Sequence, residues 1–94
     1  MKIKWTKTAL GNLGLITDYI AQDSPRRAKT FIQEIREKTT TLVEFPKIGR
    51  PGRVIGTREL VVHKNYIVAY RVRGEDVEII RVHHVAKRWP AVFD

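Results

Sequence analysis

The chain has 94 residues, no cysteine, and 18 Lys and Arg against 10 Asp and Glu, a formal net charge of +8. That length leaves room for one domain, residues 1–94, whose core buries roughly two-thirds of the surface an unfolded chain exposes. A hydrophobic fraction of 43% excludes disorder, and the lack of cysteine excludes disulfides and thiolate metal sites.

No stretch reaches the roughly 18 apolar residues of a membrane-spanning helix. Met1 to Lys7 is basic but no apolar run follows it, so a signal peptide is not expected and the expected location is the cytoplasm. Net charge bears on partners, not on fold. An excess of this size points to nucleic acid, an anionic membrane surface or an acidic protein, and the plain alternative is a soluble protein with a basic isoelectric point.

In chain order, Lys2 to Thr6 alternates, with Ile3 and Trp5 opposite Lys2 and Lys4, which predicts a half-buried strand. From Thr8 the period becomes helical: Ala9, Leu13, Ile16 and Ile20 share a face, with Leu10 beside them. Thr8 is the expected cap and Thr6 the alternative. Gly11 and Gly14 weaken this helix by up to about 1 kcal/mol each, unless a close helix–helix contact requires them. Ser24 and Pro25 predict the N-cap and first position of a second helix. That helix carries Ala28, Phe31, Ile32, Ile35 and Leu42 on its apolar face and ends before Pro46. Two helices joined by so short a turn form an antiparallel hairpin.

Lys47 to Gly56 reads as a loop with three cations, Lys47, Arg50 and Arg53. Arg58 to Val62, Tyr66 to Arg73 and Val77 to His84 read as three strands joined by short turns, an antiparallel meander. The expected fold class is α+β, in the order β-α-α-β-β-β, with an antiparallel sheet packed against the helical hairpin, its first strand added at an edge and its other face open. Strict alternation turns Ile80 and Val82 inward and places Arg81 and His83 on the open face, where Arg71 joins them. His84 then reads as a packed histidine.

No phosphate-binding glycine loop and no metal-ligand spacing is present, so neither cofactor nor metal is expected. The constellation with chemical potential is Arg81, His83, His84, Lys87 and Arg88, with Arg50, Arg53, Arg58 and Arg71 as its neighbours. Guanidinium groups orient phosphate and stabilise charge developing on it, and a histidine moves protons near neutral pH. Tyr66, Trp89 or Phe93 offers a ring on which an unpaired base stacks. The same cations read equally as a solvated face, and Glu59 reads as an ion-pair partner of Arg58 or Arg71.

Several segments carry a family resemblance. They are the opening strand with Trp5, Ala9 to Asp23 followed by Ser24-Pro25, Phe45-Pro46 with Gly49-Arg50, and the run from Gly52 to Leu60. The strands Tyr66 to Val72 and Val77 to His84 complete the set. In this order and spacing, over nearly the whole chain, they resemble the RelE/ParE superfamily of bacterial toxin–antitoxin toxins. The resemblance implies a growth-inhibiting toxin held inactive by a cognate antitoxin, whose acidic or amphipathic segment would also account for the charge of +8.

The superfamily divides by mechanism. RelE-like members cut mRNA in the ribosome, and ParE-like members inhibit DNA gyrase. The leading expectation here is a ribosome-dependent, metal-independent mRNA endoribonuclease. In it Arg81 stabilises phosphate and His83 acts as general acid or base. Arg50, Arg53, Arg58, Arg71, Lys87 and Arg88 position the RNA, with Trp89 or Phe93 stacking on it. Ile67 departs from that pattern, because RelE carries an arginine there. The alternative is a gyrase inhibitor acting by protein binding through the helical hairpin and the tail. A third reading is a module that only binds its antitoxin.

Overall fold

The computed structural model describes residues 1–63 and 65–85. Their elements are β1 (Lys2–Trp5), α1 (Lys7–Asp23), α2 (Pro25–Thr40), a 3-10 turn (Thr41–Val43), β2 (Arg50–Pro51), β3 (Arg58–His63), β4 (Tyr66–Arg73) and β5 (Asp76–His84). The sheet order is β1-β5-β4-β3-β2, and the two helices cover one face. The expected α+β architecture is present, with two refinements. β1 does lie at an edge, but it runs parallel to β5, with Ile3 opposite Val77 and Trp5 opposite Ile79, so the sheet is mixed. Alternation specifies which face a residue takes and is blind to the direction of pairing. The second refinement is β2, two residues of the Gly/Pro loop that pair with β3.

Capping explains where the helices begin. Thr6, not Thr8, caps α1: its Oγ1 accepts the Ala9 amide at 3.2 Å and donates to the Ile79 carbonyl at 2.9 Å. One hydroxyl therefore starts the helix and ties it to β5. Ser24 caps α2 through the Arg27 amide at 3.2 Å, with Pro25 in the first turn. The core lies between the layers. Ala9, Phe31, Ile35 and Leu42 pack on Val62, Val68, Tyr70, Val77, Ile79 and Val82, each large side chain contributing about 1.5–3 kcal/mol by leaving water. Leu10, expected beside this face, is 53% exposed.

The most consequential departure is in β5. Ala69 pairs with Arg81 while Tyr70 pairs with Ile79, so Ile80 is an extra residue in a β-bulge. Alternation resets there. Ile79 and Val82, three apart, both reach the core, and Ile80 turns to the open face instead of inward. Asn12 of α1 meets the strand beside the bulge, its Oδ1 accepting the Val82 amide at 3.2 Å.

Candidate functional site

The bulge builds the site. Glu59, Ala69 and Arg81 form one cross-strand row on the face opposite the helices, and Val61, Ile67 and His83 form the next. Side chains in such rows share a face. The segment 52–57 folds over this point: the Gly52 amide donates to the Thr57 carbonyl at 2.8 Å and the Thr57 amide to the Val54 carbonyl at 3.0 Å. Gly56 takes φ +87, a conformation that glycine adopts without strain. A Cβ on Gly52 would collide with the Thr57 hydroxyl, so a side chain there would open the loop. The result is a shallow pocket of about 220 Å³ lined by Arg53, Val54, Thr57, Glu59, Ile80, Arg81 and His83, with Ala69 as its floor.

Arg81 and His83 do share this pocket. His83 is 7% exposed. Burial lowers its pKa below the ordinary 6.5; Glu59 opposes the shift, and Arg53 and Arg81 add to it. The pocket thus holds a histidine biased toward the neutral form between two guanidinium groups.

The remaining expected cations are dispersed. Arg50 lies outside the pocket and bridges Glu59 at 3.3 Å. Glu59 was expected to pair with Arg58 or Arg71, and Arg50 takes it because β2 runs beside β3. Arg58 alternates with Leu60 and Val62 and so belongs to the core side of the sheet. It donates from Nη1 to the carbonyls of Gly49 at 2.8 Å and Lys47 at 3.3 Å. Tyr70 strengthens that anchor by donating from its hydroxyl to the Pro46 carbonyl at 2.7 Å and accepting the Gly49 amide at 2.9 Å. Arg71 is on the open face but bonds Glu78 at 2.7 Å. Lys87, Arg88, Trp89 and Phe93 lie outside the described residues.

Thr57, Val54 and Ile80 were missed as site residues. Only the bulge and the loop closure bring them in, and neither has a periodic signature. The loop tip projects beside the pocket with Val54 67% and Ile55 100% exposed.

A family model described as the ParE toxin of the type II toxin–antitoxin system parDE matches residues 3–89. The chain belongs to the ParE toxin family. It is 42% identical over 93 residues to the protein Y4kP of Sinorhizobium fredii, covering 98% of this chain and 96% of that one. It is 36% identical to Toxin RelE2 of Caulobacter vibrioides, covering 92% and 97%. Among solved structures it resembles a chain of the chromosomal ParDE toxin–antitoxin system from P. aeruginosa, with TM-score 0.80 and 32% identity over 90% of this chain and 96% of that one. It is therefore a type II toxin of the RelE/ParE superfamily, a kind of protein whose partner is a cognate antitoxin. Among the described residues no helix is long and apolar enough to cross a membrane.

Proposed function

We propose that this ParE-family toxin arrests growth by binding DNA gyrase as a protein inhibitor, without cutting mRNA. The observation that carries the reading is the loop tip. Val54 and Ile55 stand exposed against a pocket holding Arg53 and Arg81. Exposed aliphatic anchors beside arginine suit the desolvated centre of a protein interface. The match to the ParE family and the likeness to the P. aeruginosa ParDE chain support the same reading. In this reading Arg53 and Arg81 receive an acidic side chain of the target.

A second reading, mRNA cleavage, rests on Arg81 and His83 sharing one pocket, with His83 moving the proton and Arg81 stabilising the phosphate. Two assays separate the readings: supercoiling by purified gyrase, and the integrity of a defined message on purified ribosomes. We expect supercoiling to stop and the message to stay whole. Ile55→Asp should weaken inhibition about ten- to hundredfold, the equivalent of one lost aliphatic anchor. Cut message at stoichiometric toxin, with gyrase unaffected, would overturn the proposal.

A further inference from the structure

Among the described residues the outer face of α1 is open at Gly11 and Gly14, and Leu10 at its margin also lines a groove with Trp5, Leu13, Ile32 and Ile35. Leu10 is 53% and Leu15 73% exposed there. Among the described residues a Cβ added at Gly11 or Gly14 would meet nothing within 4 Å, so none of them makes the close contact expected at these glycines. At about 100° per residue, Lys7, Leu10, Gly11, Gly14, Leu15 and Asp18 fall within an arc of about 140°. That arc lies opposite the face of Ala9, Leu13, Ile16 and Ile20 that packs on the core.

We propose that this face pairs antiparallel with α1 of a second copy, making the toxin a homodimer. The arrangement is self-complementary. Lys7 and Asp18, Leu10 and Leu15, and Gly11 and Gly14 are each equidistant from the midpoint between Asn12 and Leu13. A two-fold axis at that midpoint seats Leu10 over the partner's Gly14 and Leu15 over the partner's Gly11. The leucines are knobs and the glycines are the gaps that receive them. Leu10 and the partner's Gly14 then differ in height by about one residue, 1.5 Å. The same axis sets Lys7 opposite the partner's Asp18, and the pair occurs again by symmetry.

Charge selects the occupant. Two copies carrying +8 each repel one another. The outer face of α1 is where Lys7 is balanced by Asp18, whereas the neighbouring α2 presents Arg26, Arg27 and Lys29. An acidic antitoxin segment is drawn to those cations, and a like copy is best tolerated on α1.

Sedimentation equilibrium of the full chain, free of antitoxin, tests the pairing. The wild type should show a concentration-dependent dimer. Asp18→Lys should weaken it about tenfold, and the swap Lys7→Glu/Asp18→Lys should recover most of the loss. Gly14→Gln fills the gap and should abolish the dimer. Its Cβ meets nothing among the described residues and it replaces glycine with a better helix former, so its melting temperature should not fall, and an unchanged melting temperature separates loss of the dimer from misfolding. A wild type that stays monomeric, or a charge swap without rescue, overturns the proposal. So does a monomeric toxin in which these same substitutions weaken the complex with the antitoxin, because the face then belongs to the antitoxin.

Discussion

His83 and His84 are adjacent on β5, yet they enter pockets on opposite faces of the sheet, and the two pockets differ in kind. His84 joins an aromatic cluster under α2. Its ring stands edge-on to Tyr66 at 4.9 Å, Tyr66 meets Phe31 at 4.8 Å, and His63 is hydrogen-bonded to Glu34 between Nδ1 and Oε2 at 2.6 Å. This cluster lines a pocket of about 350 Å³ and joins α2 to β3 through rings and one short polar pair. Burial, with a smaller contribution from Tyr19, raises the Tyr66 pKa. His83 lies instead among Arg53, Glu59 and Arg81 under a closed loop. In one pocket aromatic packing and a carboxylate–histidine pair hold two layers together. In the other, Arg53, Arg81 and the carboxylate of Glu59 surround a buried imidazole, a concentration of charged groups of the kind found at binding sites.

The first way to break this contrast is to remove Phe31, which is 3% exposed and touches both His63 and Tyr66. Phe31→Ala should cost about 3–5 kcal/mol, the range for truncating a buried phenylalanine. Urea denaturation measures it. A cost below about 1 kcal/mol would mean that the α2 pocket is not part of the folding core.

Much of the contrast was legible in the residues. The Ser24-Pro25 start, the α2 face of Ala28, Phe31 and Ile35, and the outward placement of Arg81 and His83 follow from capping and period. So does the inward register of His84. What alternation could not supply is the bulge at Ile80. One inserted residue leaves no compositional mark, and Ile80 satisfies an inward pattern as well as an outward one. Arg58 shows the same limit. Its cationic character suggested a ligand, but strand parity puts it on the core side, where the carbonyls of Gly49 and Lys47 hold it. Glu34 and His63 are 29 residues apart, a pairing fixed only by the packing of α2 on β3.

A smaller effect separates the pockets by pH. His83 has a folded-state pKa below 6.5, so between that lowered value and 6.5 the unfolded chain binds the extra proton. Stability is therefore complete above about 6.5 and declines as pH falls through the window below it. His83→Gln should flatten this part of the urea-midpoint-versus-pH profile while leaving the alkaline side unchanged in slope. A profile that the substitution does not alter would show that His83 titrates alike in folded and unfolded chains.

The smallest expected change in stability is the most informative for function. Arg53→Gln with Arg81→Gln removes two cations from the open pocket and no core packing, so the cost near pH 8 should be about 1 kcal/mol or less. These two arginines add to the lowering of the His83 pKa, so without them His83 should titrate closer to 6.5 and the pH-dependent loss should begin from a smaller difference. Action on the target should fall sharply in the same variant, because the acidic group that the pocket is proposed to hold loses both counter-charges. A double variant that keeps its inhibitory strength would reduce the open pocket to a charged surface, and would leave the exposed Val54–Ile55 tip to account for target binding alone.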